Sequence, residues 1–278
     1  YIMTLMQPFR VIQVSDTHLS RQKPYGVPNF DALAAIVAAE RPDLVINSGD
    51  IALDGADNED DLVFASERHR ALAAPLRAIP GNHDLGDNPW GGAIAQSITD
   101  ARRARYIRHF GADFWQVGAG NWLIIGLNAQ LFGSGLAAET EQWTFLEHAA
   151  ASAGRRPVAL FVHKPLVNER PDETEVNHRY VNPEHRQRLF AILGNALLRL
   201  VASGHVHQHR RSCVDGVDYC WAPSTAFVLP DRMQPVIGSK RVGYVAYSFG
   251  AEDVAIDVVE TPKLTNNSLD DFPPMYDH

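Results

Sequence analysis

The sequence predicts an α/β fold, and three observations carry that reading. Short apolar segments rich in β-branched residues alternate with helix-period segments from residue 10 to residue 203. Polar residues able to bind metal stand where the strand-like segments end, which is where ligands bind in open α/β sheets. Beyond His207 the pattern turns to strands alone. In order, residues 10–15 read as a buried strand, 30–40 as a helix with Asn29 as N-cap, and 44–48 as a second strand. A helix over 59–74 opens on Glu59, Asp60 and Asp61, acids suited to a first turn. A short apolar stretch over 76–79, a helix over 100–110 and a strand over 122–128 follow. A helix over 139–153 leads into the strand 158–162, and a helix over 183–198 into the strand 200–203. Asp215-Gly216 marks a hairpin, with later strands near 242–249 and 254–259.

At 278 residues the chain suits one large domain, expected over 1–260, with 261–278 a polar, proline-bearing surface arm or tail. Hydrophobic residues make up 45% and charged residues 21%, and no apolar run approaches the roughly 20 residues that span a bilayer, so a soluble protein is expected. No secretory signal is visible in residues 1–6, and Cys213 and Cys220 cannot form a disulfide framework, which makes the cytoplasm the default expectation. The net charge of -8 gives poor footing for a nucleic-acid backbone, so no nucleic-acid polymer is expected as partner. Arg102, Arg103 and Arg105 read as the wet face of a helix. Association into a homo-oligomer stays open.

The candidate site lies at five strand ends. Asp16 and His18 follow the first strand and Gly49-Asp50 the second, while Gly81-Asn82-His83-Asp84 follows the third. His163 follows the strand 158–162, and His205 and His207 follow 200–203. Singly, each piece also reads as a turn or a satisfied buried histidine; together, in order and each at a strand end, they read as one constellation. Carboxylate, imidazole and amide oxygen form a mixed donor set suited to Mn, Fe or Zn rather than calcium. A carboxylate can bridge two ions, and Asp50 is the natural bridge. In Asp16-x-His18 and His205-x-His207, alternation along an extended segment would point both side chains the same way.

These motifs, Asp16-Thr17-His18, Gly49-Asp50, Gly81-Asn82-His83-Asp84, His163 and Gly204-His205-Val206-His207, resemble the signature of the calcineurin-like metallophosphoesterases across residues 10 to about 210. Within that superfamily the chain is similar to the bacterial branch of class III cyclic-nucleotide phosphodiesterases and glycerophosphodiesterases. The resemblance implies a four-layer α/β/β/α sandwich of two mixed sheets flanked by helices. It implies one metal on Asp16, His18, Asp50 and His207, and a second on Asp50, Asn82, His163 and His205. His83 would contact the phosphate or protonate the leaving oxygen, with Asn82 also stabilising the phosphoryl oxygens. Two departures stand out. Leu53 occupies the place of a polar residue that can orient the catalytic histidine, with Asp54 one position on. Lys164 follows His163 where many relatives have a second histidine, and either brings charge near the phosphate or points into solvent.

The function implied is hydrolysis of a small phosphodiester, such as a cyclic nucleotide or glycerophosphodiester, by a hydroxide held between two divalent or mixed-valence ions. The segment Gly49 to Gly55 lacks the arginine usual in protein phosphatases, which argues against that activity. Alternatives are a phosphomonoesterase or a nuclease on the same fold, or a metal-free interaction module, which would be expected to have lost ligands. Substrate choice is expected to lie between His163 and Pro183 and in 223–243, with His178 and Tyr180 as substrate-binding candidates that alternatively only cap the helix after Pro183.

Overall fold

The structure, a computed structural model, describes residues 7–90, 96–194 and 196–275. The expectation of no secretory signal in residues 1–6 lies outside these, as do the last three residues of the tail. The strands are β1 (Phe9–Val14), β2 (Leu44–Asn47), β3 (Leu76–Ala78), β4 (Trp115–Ala119), β5 (Trp122–Leu127), β6 (Pro157–Val162), β7 (Leu197–Ser203), β8 (Arg210–Val214), β9 (Val217–Trp221), β10 (Tyr244–Phe249) and β11 (Val254–Val259). The helices are α1 (Val27–Glu40), α2 (Glu59–Arg70), α3 (Asn82–Leu85), α4 (Asp100–Phe110), α5 (Ala137–Ala153) and α6 (Pro183–Leu193).

Two mixed sheets form. One has the order β11-β10-β1-β2-β3 and the other β4-β5-β6-β7-β9-β8. β1, β2 and β3 run parallel, as do β5, β6, β7 and β9, so the loops that leave their C-terminal ends gather on one side. Period-two alternation assigns the faces. Val11, Ile46, Phe161 and Tyr247 fill the space between the sheets. Ile12 and Val45 face α1 and α2 through Phe30, Leu33 and Leu62, and Leu160 and Val162 face α5 and α6 through Leu146 and Leu189. The result is the expected four-layer α/β/β/α arrangement. A buried polar staple crosses the middle: Gln13 donates to Ser48 Oγ at 2.8 Å and to the Ser203 carbonyl at 3.2 Å, and accepts from Tyr247 Oη at 2.7 Å. No helix of the described residues is long and apolar enough to cross a membrane.

Several boundaries differ from the sequence reading. α1 begins at Val27, with Pro28 in its first turn and no side-chain cap. Asn29 is not the cap: it lies inside the helix, and its side-chain oxygen accepts from Thr265 N at 2.8 Å while its NH2 group donates to the Thr225, Ala226 and Thr265 carbonyls. α2 stops at Arg70 rather than 74, and α6 at Leu193 rather than 198, just before Gly194. The leucines beyond join β7, where Leu197 pairs with Pro157. β4 had no expected counterpart. Arg102 and Arg103 are not merely a wet face: they bind Asp57 and, through two contacts of 2.7 and 2.8 Å, Asp113. From residue 264 the tail doubles back, with Leu264 buried, Val228 bonded to Asn267, and Leu269 to Val228.

Candidate metal centre

The loops after β1 and β2 stay zipped together past the strands. Asp16 N donates to the Gly49 carbonyl at 2.9 Å, His18 N to that of Asp50 at 3.0 Å, and Leu19 N to that of Ile51 at 2.9 Å. Among the described residues seven non-glycine residues have positive φ, and five of them are Asp16, His18, Asp50, His205 and His207. The extended alternation expected for Asp16-x-His18 and His205-x-His207 is therefore not what aims these side chains; left-handed backbone does so. Such conformations are costly outside glycine and persist where the surroundings enforce them, typically at functional sites. Three glycines make room. A Cβ at Gly81 would lie 2.1 Å from Asp50 Oδ1, one at Gly49 2.4 Å from His163 Nδ1, and one at Gly204 2.8 Å from Asp16 Oδ2.

The structure brings the predicted ligands into two groups, Asp16 with His18 and His207, and Asp50 with His163 and His205, the ligand atoms of each lying within 4.8 Å of one another. All are buried except the partly buried His205. His207 donates from Nδ1 to the Phe227 carbonyl at 2.7 Å, so Nε2 offers a lone pair. That lone pair faces His18 Nε2 at 3.1 Å and Asp16 Oδ1 at 3.5 Å. Likewise His163 Nδ1 donates to the Ser48 carbonyl at 2.8 Å, and Nε2 faces Asp50 Oδ2 at 3.3 Å and His205 Nδ1 at 3.2 Å. Acceptors converging in a buried space repel one another unless a proton or a metal ion lies among them. Imidazoles fixed by a carbonyl on the opposite nitrogen are the usual posture of metal-binding histidines. Asp16 Oδ1 and Asn82 Oδ1 are buried with no hydrogen-bond partner, as a metal-binding oxygen would be. The donor set therefore fits metal ions.

Burial pushes the His18 and His205 imidazoles well below their usual range, keeping them in the neutral form that binds metal. Burial likewise opposes charge on His163, but the Asp50 carboxylate beside it outweighs that and raises the ring to about 9. Burial works against the Asp50 carboxylate too, yet His163 and His83 draw it well below its ordinary value.

His83 lines the cavity over these groups, 4.8 Å from the His18 ring. Its Nδ1 donates to the Leu53 carbonyl at 2.9 Å, and its backbone N–H to Asp50 Oδ1 at 2.9 Å. The histidine is thus held by the backbone carbonyl of Leu53, while the Leu53 side chain packs into an apolar cluster with Tyr25, Ala226 and Phe227. Asp54 instead accepts from Gln96 at 3.0 Å. Lys164 neither reaches solvent nor sits bare by the site. It is buried, with Nζ 2.6 Å from Asp87 Oδ1 and 3.3 Å from Asn88 Oδ1. With its amide oxygen and nitrogen exchanged, the orientation that satisfies both neighbours, Gln130 donates to Asp87 Oδ1 at 2.7 Å and accepts from Asn82 N at 3.2 Å, which ties this ion pair to the Asn82 loop.

Sequence reasoning missed Asp84 as a clamp. Its carboxylate accepts from Ile51 N at 3.0 Å, Ala52 N at 2.8 Å and Gly81 N at 2.8 Å, joining the loops that carry Asp50 and Asn82. Three convergent backbone N–H groups need an acceptor, but nothing in a linear motif shows that they converge. Of the substrate candidates, His178 lines the cavity of about 300 Å³ above the ligands, together with Arg179. Tyr180 lies outside it, donating to Asn168 Oδ1 at 3.0 Å and packing on Trp221. The rest of its lining includes the apolar Phe227, Leu229, Met233, Leu269 and Met275, with Gln234 among them.

Against known proteins, residues 9–209 match the calcineurin-like phosphoesterase family. The chain is similar to the serine/threonine-protein phosphatase CPPED1 of Danio rerio, 27% identical over 246 residues that cover 76% of this chain and 74% of that protein. It is also similar to the probable glycerophosphodiester phosphodiesterase GpdQ of Arcobacter nitrofigilis, 29% identical over 213 residues and 71% of each chain. With the 3',5'-cyclic adenosine monophosphate phosphodiesterase CpdA of Escherichia coli it shares 30% identity over 163 residues, 55% of this chain and 54% of that one. A solved dimetal phosphatase from Danio rerio superposes with a TM-score of 0.61 at 12% identity, covering 91% of this chain and 96% of that one, a likeness of fold.

Proposed function

We propose that this chain, which belongs to the calcineurin-like phosphoesterase family, is a binuclear metal-dependent phosphodiesterase acting on small phosphodiesters. The observation that carries the reading is the pair of adjoining three-residue ligand groups, each a carboxylate and two imidazoles, that share one cavity. One ion would be held by Asp16, His18 and His207 and the other by His163, His205 and Asn82, with Asp50 serving both; Mn, Fe and Zn all suit these donors. When bound, such a pair supplies Lewis acidity, neutralising phosphoryl charge and making water acidic.

The chain's own groups do the rest. Asn82 reaches the cavity and can support a phosphoryl oxygen there. His83, with Nδ1 committed to Leu53, exchanges protons through Nε2, and the leaving oxygen is the group such an acid serves. Left-handed backbone at five positions and the Asp84 clamp hold the ligands in place before substrate arrives. The similarities to GpdQ and CpdA support diester hydrolysis and a small substrate. The similarity to CPPED1 favours a second reading, a phosphomonoesterase. A panel of a cyclic nucleotide, a glycerophosphodiester, a phospholipid head-group diester, a phosphonate ester and matched monoesters separates them. Turnover of diesters above monoesters is expected, and monoester turnover alone would replace the first reading with the second.

A further inference from the structure

We infer that the C-terminal segment 264–275 is the specificity-determining wall of this cavity, and that it selects phosphodiesters whose second substituent is an apolar ring over those carrying a polyol. The inference rests on the phosphodiesterase reading for its substrate class. The segment is built into the fold rather than draped over it. Asn29 Nδ2 donates to the Thr265 carbonyl at 2.9 Å, and Asn29 Oδ1 accepts from Thr265 N at 2.8 Å. Val228 N donates to the Asn267 carbonyl and Leu269 N to that of Val228, each at 2.9 Å. Further on, the Phe272 ring stacks on Tyr25 at 4.6 Å, Tyr25 Oη donates to the Pro273 carbonyl at 3.0 Å, and Lys23 Nζ donates to the Met275 carbonyl at 2.6 Å.

These anchors present Leu269 and Met275 to the cavity that holds the ligand groups. Phe227 joins the two regions. It stacks on His18 at 5.0 Å and meets Phe272 edge-on at 6.0 Å, so the wall is continuous from a proposed metal ligand to the segment. Phenyl, isobutyl and thioether groups offer no partner for the hydroxyls of a glyceryl group, which would lose water without compensation. They do offer contact, and the thioether a favourable sulfur interaction, to an aromatic ring. Arg179, which lines the same cavity, carries a planar group able to lie against such a ring.

The test compares wild type with the Leu269→Ser/Met275→Ser double variant, both half-buried positions, each protein loaded with Mn(II). Calorimetry with phenylphosphonate and methylphosphonate reads the wall without turnover. Wild type is expected to bind the phenyl compound about tenfold tighter, and the double variant to bind the two within about threefold while keeping its affinity for methylphosphonate. Steady-state kcat/KM for bis(p-nitrophenyl) phosphate against methyl p-nitrophenyl phosphate, which share a leaving group, should show the same preference and the same collapse. Equal binding of the two phosphonates by wild type, or a preference that survives in the variant, overturns the inference. Should the double variant lose its fold, the single variants Leu269→Ala and Met275→Ala carry the same comparison, each expected to shrink the phenyl preference, and a preference unchanged in both overturns the inference. Turnover of neither diester, with the phenyl preference intact in binding, would reject the phosphodiesterase reading and leave the wall standing.

Discussion

At the scale of single residues the site separates groups that meet substrate from groups that hold others in place, and substitutions should report the difference. His83 lines the cavity with its Nδ1 fixed by the Leu53 carbonyl, and none of the three-residue ligand groups includes it. His83→Ala is therefore expected to keep both metals and to lose about 10² to 10⁴ in kcat on diesters with poor leaving groups, but far less on nitrophenyl diesters, which need no acid. Metal analysis together with kcat on the two substrate types checks this, and equal losses on both would remove the proton-transfer role. His178 and Tyr180 stand two residues apart and should behave oppositely. His178→Ala is expected to change the kcat/KM ratio of two diesters differing beyond the phosphate, with little change in stability, since its ring lines the cavity. Tyr180→Ala should leave that ratio alone and cost about 1 to 3 kcal/mol in denaturant unfolding, because it removes a ring packed on Trp221 and a hydrogen bond to Asn168. A shifted ratio in Tyr180→Ala would return that residue to the substrate.

At the scale of elements, α2 docks on β2 through a buried histidine. His69 Nδ1 donates to the Ala65 carbonyl at 2.8 Å, and its Nε2 accepts from Asn47 Nδ2 at 2.9 Å, while Asn47 Oδ1 accepts from Gly49 N at 3.0 Å. Helix position is thus linked to the turn that carries Asp50. Burial lowers the His69 imidazole from 6.5 to about 4. Between those values the unfolded chain binds more protons than the folded one, so the stability from neutral His69 is complete above pH 6.5 and falls as pH drops toward 4. The loss should reach about 2 kcal/mol at pH 5. Metal-free urea unfolding of wild type and His69→Gln at pH 7.5 and pH 5 checks this: wild type should lose about 2 kcal/mol more than the variant, and parallel losses would count against a neutral buried ring. This link was not legible in the sequence, whereas the strands at 10–15, 44–48 and 158–162 were. Those strands advertise themselves by local apolar runs and by ligand residues at their ends. His69 on a helix, Asp84 in a motif loop and Lys164 beside a ligand owe their roles to partners 22 to 77 positions away, and spacing does not encode such pairings. The same holds for Phe227 and the tail, whose residues look like ordinary surface apolar groups until the chain folds back. The misplaced end of α6 has a local cause: leucines at 197, 198 and 200 suit either period, and the pairing of β7 with β6 and β9 decides between them.

At the scale of the whole molecule, each ligand group straddles the two sheets. Asp16 and His18 leave β1 and Asp50 leaves β2 in one sheet; His163 leaves β6, and His205 and His207 leave β7 in the other. The sheets are joined by their shared core, by the Gln13 staple and, at the open edge, by Asp50 facing His163 across the two sheets. Metal ions that bind the folded arrangement and not the unfolded chain would add a cross-link between the sheets and stabilise by RT ln(1 + [M]/Kd), about 4 kcal/mol per site at a thousandfold excess over Kd. For a chain of this size about 1 kcal/mol moves Tm by roughly 2 to 4 °C, so chelation should lower Tm on the order of 10 °C per site. Calorimetric scans with Mn(II) and with a chelator, paired with elemental analysis, check this. Wild type should carry two ions per chain and show the full shift. His207→Ala removes a ligand of one group only and should retain about half the shift, whereas Asp50→Ala, which removes the ligand proposed to serve both ions, should abolish nearly all of it. A Tm indifferent to the chelator, or a full shift in Asp50→Ala, would mean that the sheets are not bridged by a shared metal pair, and the binuclear reading would fall with it.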